Sequence, residues 1–154
     1  MRYNFDMNSN IKRTNVNIFN GWKAGAFLVN PVNTVGVMGK GLALQFKKEK
    51  PDHYTKYKSL CTDGHIKLGE VWVDEENKII AFPTKGDWRA KSRIEDIVNG
   101  LKDLHIQAIK RNIKKIYIPK IGCGLGGLNY EHEVKPIILK EFNDSKVTVV
   151  IVEL

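Results

Sequence analysis

No stretch of this sequence is apolar for long enough to cross a bilayer, and its first residues, MRYNFDMNSN, lack the apolar core of a signal peptide. Neither a membrane partner nor export is expected. Cysteine is scarce as well. Cys61 and Cys123 lie far apart, without metal-type or redox-type spacing, so both are read as reduced thiols in a cytoplasmic setting. His53, His65, His105 and His132 show no ligand spacing either, and no metal or other cofactor is expected. Acidic residues are the minority charge: 17 Asp and Glu against 25 Lys and Arg leave a formal net charge of +8. That excess favours polyanionic partners such as nucleic acid, a nucleotide or a phosphorylated ligand, although basic solvated faces give the same balance.

What is present describes a folded domain. Hydrophobic residues make up 42% and charged residues 27%, which places the chain among globular rather than disordered proteins. With 154 residues and no repeat, low-complexity stretch or linker, residues 1–154 are read as a single domain. GAFLVNPVN carries an apolar core, Ala26 to Val29, and reads as a buried strand that breaks at Asn30-Pro31. Leu42 to Lys50 is rich in helix formers, with Pro51 as its stop. Glu70 to Val73 and Lys78 to Phe82, around a polar turn, read as a hairpin.

The clearest helix is SRIEDIVNGLKDLHIQAIKRN. Ser92 and Glu95 have capping-box spacing, Ile94, Ile97, Val98, Leu101, Leu104 and Ile109 form a core-facing stripe, and Gly100 weakens the helix mildly. A short strand in KKIYIPKIGCG, a helix in EHEVKPIILKEF and a terminal strand in KVTVVIVEL follow. The near-continuous apolar run of that last strand predicts burial on both faces. Strands alternating with helices predict a three-layer α/β domain with a mixed sheet.

Two strand-to-loop transitions stand out, Asn30 through Gly41 and PKIGCGLGGLNYEHE. In an open α/β sheet, ligands bind beyond the carboxyl ends of strands. Glycines there let amide N–H groups approach a phosphate, and a following helix dipole favours negative charge. Two such loops can embrace a diphosphate from either side; each read alone is equally a plain turn. GVMGKG is not a P-loop, because Lys40 is not followed by Ser or Thr, and GCGLGG lacks the later βαβ unit of a dinucleotide fingerprint. Cys123 has no partner base in sequence and reads as structural. In FPTKGDWRAKSRIED, Lys85 follows a strand among Arg89, Lys91 and Arg93. Nearby positive charge favours a free, nucleophilic amine, and Trp88 can stack on a ring beside it. A solvated basic loop with one packed tryptophan is the competing reading.

LVNPVNTVGVMGKGLALQFKK, FPTKGDWRAKSRIEDIVNGL and IYIPKIGCGLGGLNYE, in that order, resemble the motif set of the macrodomain family. Within the family they resemble the DNA ADP-ribosyl glycohydrolases that serve as antitoxins to thymidine-modifying ADP-ribosyltransferase toxins. The sequence is similar, more distantly, to the terminal ADP-ribose protein glycohydrolases. The three blocks together are specific where any one of them is not, and with the segments between them they cover nearly the whole chain.

The resemblance implies an α/β fold, a three-layer α/β/α macrodomain with a central mixed sheet, that holds ADP-ribose at the carboxyl edge of the sheet. Lys85 matches the family's catalytic lysine, acting at the anomeric carbon, and Asn33 matches the asparagine beside the distal ribose. The ligand would be bound by Asn17, Ile18 and Asn30, by Val37, Met38, Gly39 and Gly41, by Thr84, and by Gly122, Cys123, Gly124, Leu125 and Gly126. Trp88, Arg89, Lys91 and Arg93 would position the DNA strand. The implied partners are ADP-ribose, ADP-ribosylated single-stranded DNA and a cognate ADP-ribosyltransferase toxin. Three departures stand beside the match. Asn17 replaces the aspartate that many macrodomains place on the adenine amine. Gly126 stands where relatives acting on proteins carry an acid, which favours the DNA-directed branch. The family's antitoxins usually have a further C-terminal domain, whereas this sequence ends at Leu154. The competing expectations are an ADP-ribose 1″-phosphate phosphatase and a non-catalytic module that binds ADP-ribose.

Overall fold

Val149 to Val152 are all buried, as the unbroken apolar run of the last strand requires. The computed structural model describes residues 10–154, so the segment read above as lacking a leader lies, except for Asn10, outside the described residues. Six strands form one sheet: β1 (Ile11–Thr14), β2 (Phe27–Asn33), β3 (Trp72–Asp74), β4 (Ile79–Lys85), β5 (Lys115–Ile118) and β6 (Thr148–Val152). Their order is β1-β6-β5-β2-β4-β3. Every neighbouring pair is parallel except the β3–β4 hairpin, so the sheet is mixed.

Four helices cover it: α1 (Gly41–Glu49), α2 (Pro51–Thr62), α3 (Ile94–Lys110) and α4 (Lys135–Phe142). On one face, Val29, Ile80, Phe82, Ile116, Ile118, Val149 and Ile151 bury against Ile97, Leu101 and Leu104 of α3 and Ile138 and Phe142 of α4. On the other face, Leu28, Ile79 and Val152 meet Phe46 of α1, while Val32 and Ala81 meet Tyr57 of α2. The three-layer α/β/α arrangement with a mixed central sheet is the expected one. Among the described residues, no helix is long and apolar enough to cross a membrane.

Local departures from the sequence reading have physical causes. Pro51 stops α1 but also opens α2 at its first position, where a missing N–H and a fixed φ cost nothing. β2 does not break at Asn30-Pro31; it continues to Asn33. The Ser92–Glu95 capping box does not form, because α3 begins at Ile94, its cap residue Arg93 makes no side-chain cap bond, and Arg93 holds Glu95 instead. Ile109 is 54% exposed, and Ala108 takes the place it was expected to fill in the stripe. A Cβ on Gly100 would lie 2.5 Å from Phe82 Cζ, so that glycine lets α3 lie close against β4.

Candidate active site

β2 and β4 run on past their neighbours. β5 pairs with β2 only at Phe27 and Leu28, whereas β4 accompanies β2 as far as Asn33, opposite Lys85. β3 reaches β4 only as far as Ala81. Pro31 and Pro83 fall in this overhang, where each strand has a neighbour on one side only and a missing N–H is tolerated. β4 lies on one side of β2 and β5, the next strand in sequence, on the other. Such a reversal is where open α/β sheets hold ligands. A cleft of about 740 Å³ opens there, lined by three segments that follow β2, β4 and β5.

The first segment contributes Asn33, Val37, Gly39, Lys40 and the start of α1. Asn33 is buried, and its side chain builds the loop. Oδ1 accepts from Val35 N at 3.1 Å, Val37 N at 3.3 Å and the Tyr57 hydroxyl at 2.9 Å, while Nδ2 donates to Val37 O at 2.8 Å. Asn33 lines the cleft, and one of its two amide protons has no acceptor among these bonds. Gly39 has no left-handed φ, and a Cβ there would meet only Val37 Cγ1, at 3.5 Å. The turn itself therefore does not demand glycine; a bare backbone on the cleft side is what it provides. α1 begins at Gly41 with no side-chain cap, which leaves first-turn amides at the cleft wall.

The second segment contributes Pro119, Lys120, Gly122, Cys123, Leu125 and Gly126. Gly122 is required by the fold: its φ is +74°, and a Cβ would press on Leu128 at 2.8 Å and Ile97 at 3.2 Å. Burial pushes the Cys123 thiol above its ordinary pKa and its Sγ donates to Ile121 O, in keeping with a structural role. Leu125 stands 70% exposed at the mouth.

The third segment carries Thr84, Lys85, Trp88, Arg89 and Ser92. Gly86 O accepts from both the N–H and the hydroxyl of Thr34 at 3.0 Å, which ties the Thr84-Lys85 step to the first loop. Lys85, half-buried, ends β4 at the cleft. Trp88 is half-exposed, with the Arg89 guanidinium 5.2 Å above its ring. Arg89 also grips Asp87 through Nε at 3.0 Å and Nη2 at 3.1 Å, and these bonds, with the Arg89 N–H, lower the Asp87 carboxyl to about 2. Arg93 is bonded to Glu95. Two of the four residues expected at DNA thus already hold a carboxylate two positions away.

The structure gathers Asn33, Val37, Gly39, Gly41, Thr84, Lys85, Trp88, Arg89, Gly122, Cys123, Leu125 and Gly126 around one cleft. Asn17, Ile18, Asn30, Met38, Gly124, Lys91 and Arg93 do not line it. Asn17 caps the 3-10 turn Ile18–Gly21 by accepting from Phe19 N at 2.9 Å, and Ile18 is buried beneath. Met38 is buried with Tyr57 and Ala81. Gly124, Lys91 and Arg93 are exposed outside the cleft.

Asn30 belongs to a buried chain that sequence reasoning missed. Its Nδ2 lies 3.2 Å from His53 Nε2 and 3.9 Å from Met38 Sδ, and His53 Nδ1 lies 2.9 Å from Asp74 Oδ2. His53 also stacks on Trp72, 5.2 Å between ring centres. Burial lowers the His53 pKa, so the ring is neutral, donating from Nδ1 to Asp74 and accepting at Nε2 from Asn30. Burial pushes the Asp74 carboxyl up, but hydrogen bonds from Asn77 and His53 outweigh it and hold the group below its ordinary value. Lys40, Lys120 and Ser92 are further cleft residues the sequence did not single out; the first two were legible only as members of a general basic excess. No group of three or more His, Cys, Asp and Glu able to hold a metal occurs among the described residues.

Residues 29–137 match the Macro domain family. Over 114 residues, 70% of this chain, the sequence is 45% identical to a DNA ADP-ribosyl glycohydrolase of Thermus aquaticus. The chain spans 31% of the length of that curated relative. Among solved structures, it superposes on the macrodomain of Mycobacterium tuberculosis DarG with a TM-score of 0.85 and 37% identity, covering 92% of this chain and 96% of that one. Thermosipho africanus DarTG in complex with ADP-ribose matches with a TM-score of 0.84 and 29% identity, over 95% of this chain and 42% of that one.

Proposed function

The chain belongs to the macrodomain family, and from that premise we propose that residues 1–154 form one macrodomain that removes ADP-ribose from thymidine-modified single-stranded DNA. The observation that carries this reading is the placement of Lys85. It ends β4 opposite Asn33 in register and lines one cleft together with both glycine-bearing loops. The names of the relatives, a DNA ADP-ribosyl glycohydrolase and an ADP-ribose complex, supply the substrate class.

In this reading the diphosphate sits on backbone amides of Gly122 to Gly126 and on the uncapped start of α1, where N–H groups and the helix dipole favour anions. Val37, Gly39 and Gly41 flank the distal ribose, and Asn33 offers it the remaining amide proton. Asn30 supports the same loop from beneath through Met38. The Lys85 amine acts at C1″, by attack or by assisting ring opening. The bond from C1″ to the thymine nitrogen breaks, that nitrogen takes a proton, and water delivers the hydroxyl that ends on C1″. Trp88 stacks on a base near the reacting nucleotide, and Lys91 meets a phosphate, with Arg89 and Arg93 beside it still held by Asp87 and Glu95. The setting is the cytoplasm, and a cognate ADP-ribosyltransferase toxin is the partner that makes the substrate. A Thermosipho africanus relative named as a fusion of transferase and glycohydrolase supports that pairing.

The test is release of ADP-ribose from a thymidine-ADP-ribosylated oligonucleotide, with ADP-ribose 1″-phosphate as a control. Release that is lost in Lys85→Ala while ADP-ribose binding persists supports the proposal. Turnover of the phosphate ester alone identifies a phosphatase, and binding without turnover of either identifies a reader module.

A further inference from the structure

Ser92 has no role in the reading above, yet it is the least explained polar residue of the cleft. It is 6% exposed, and its Oγ is buried with no hydrogen-bond partner among the described residues. A buried hydroxyl without a partner is costly, and it persists where something else is gained. It is not spent on helix α3, whose cap makes no side-chain bond. Its surroundings point to the second loop. Ser92 N donates to Gly126 O at 2.9 Å, and a Cβ on Gly126 would lie 2.5 Å from Ser92 Oγ and 3.2 Å from Ser92 Cβ. The hydroxyl thus occupies the space that any side chain at position 126 would take.

We infer that Ser92 is a ligand-binding residue whose hydroxyl donates to a diphosphate oxygen seated on the Gly122–Gly126 loop, and that Gly126 lacks a side chain so that this hydroxyl can reach it. The inference rests on the ADP-ribose cleft proposed above and adds a side-chain donor to a cradle otherwise made of backbone amides. Ser92 and Gly126 both line the cleft. A hydroxyl directed at an ionised phosphate oxygen is a charge-assisted bond, stronger than one between neutral groups.

Calorimetric titration of ADP-ribose and of ADP into wild type, Ser92→Ala, Gly126→Ala and the double variant tests this. Ser92→Ala is expected to weaken both ligands by the same factor, about tenfold or more. Its melting temperature without ligand should equal or exceed that of wild type, because an unpaired buried hydroxyl has gone. Gly126→Ala should cost most of its affinity in the presence of Ser92 and much less in the Ser92→Ala background. Unchanged affinity in Ser92→Ala, weakening of ADP-ribose but not ADP, a lowered melting temperature in the free Ser92→Ala protein, or strict additivity of the two substitutions would each overturn it. Failure of the wild type to bind ADP-ribose would instead overturn the proposed function, so the two failures are distinguishable.

Discussion

The Tyr57 hydroxyl from α2 reaches both oxygens of Asn33, the main-chain carbonyl at 2.7 Å and Oδ1 at 2.9 Å. Tyr57 is fully buried, and burial raises its pKa, so the hydroxyl stays protonated and remains a donor. The helix that sequence reasoning missed therefore fixes the residue around which the first loop is built. Tyr57→Phe removes the donor while the Val35 and Val37 amides still hold Oδ1. The expected result is a loss of about 1–2 kcal/mol in urea unfolding and a several-fold weaker affinity for ADP-ribose in calorimetry. Lost stability with unchanged affinity would show that the loop keeps its shape without Tyr57.

Gly39 separates a turn from a ligand contact. The backbone there suits any residue, and a Cβ meets nothing closer than 3.5 Å. Gly39→Val should therefore leave the melting temperature within about a degree or two of wild type, as expected for a surface change within about 0.5 kcal/mol. ADP-ribose binding should nevertheless be abolished, because the branched side chain projects where the ligand must lie. Normal binding by that variant would reduce the loop to a turn.

How much was legible follows from which signals are local. The terminal strand, α3 and the β3–β4 hairpin announce themselves through periodicity and turn residues. The two glycine loops and Lys85 stand at strand ends, so their convergence on one cleft followed from a parallel sheet with its carboxyl edge exposed. α2 was not legible, because in PDHYTKYKSLCT only His53 and Tyr57 are fully buried, and the residues that pack beside them, Tyr54, Leu60 and Cys61, are half-buried among lysines and hydroxyl side chains that blur the stripe. β1, a four-residue edge strand with only its end residues Ile11 and Thr14 half-buried and Lys12 and Arg13 exposed between them, gives an equally weak signal. The capping box failed because Ser92 packs under Gly126, a contact that depends on a loop 34 positions away in sequence. The family resemblance put Asn30 and Met38 at the ligand, but their strand and loop positions turn both side chains inward, toward His53 and Tyr57.

The His53 chain makes stability depend on pH. Its folded-state pKa lies below the ordinary 6.5, with burial the leading cause; Asp74 and Asp52 oppose the shift and Lys56 adds to it. The unfolded chain therefore binds the proton more readily. The contribution of the neutral ring is fully present above about pH 6.5 and is lost as pH falls below it, by at most about 1.4 kcal/mol per pH unit. Melting temperatures between pH 7.5 and 5 should fall in wild type and fall less in His53→Gln. Parallel curves for the two proteins would mean that His53 does not titrate across folding.

The Asp87–Arg89 pair limits how much positive charge the loop after β4 can offer a nucleic acid. Both side chains are exposed, 41% for Asp87 and 70% for Arg89, and the bonds from Arg89 keep the carboxylate ionised down to about pH 2. Asp87→Asn keeps an oxygen for the Arg89 N–H but removes the charge that holds the guanidinium. If the loop lies along single-stranded DNA, the freed arginine gains a phosphate. Affinity for an unmodified oligonucleotide should rise at low salt, and the plot of log K against log salt should steepen by about 0.7, the value for one added contact to a single strand. A slope identical to wild type would place the DNA strand elsewhere and leave Trp88 and Arg89 as a stacked pair at the mouth of the cleft.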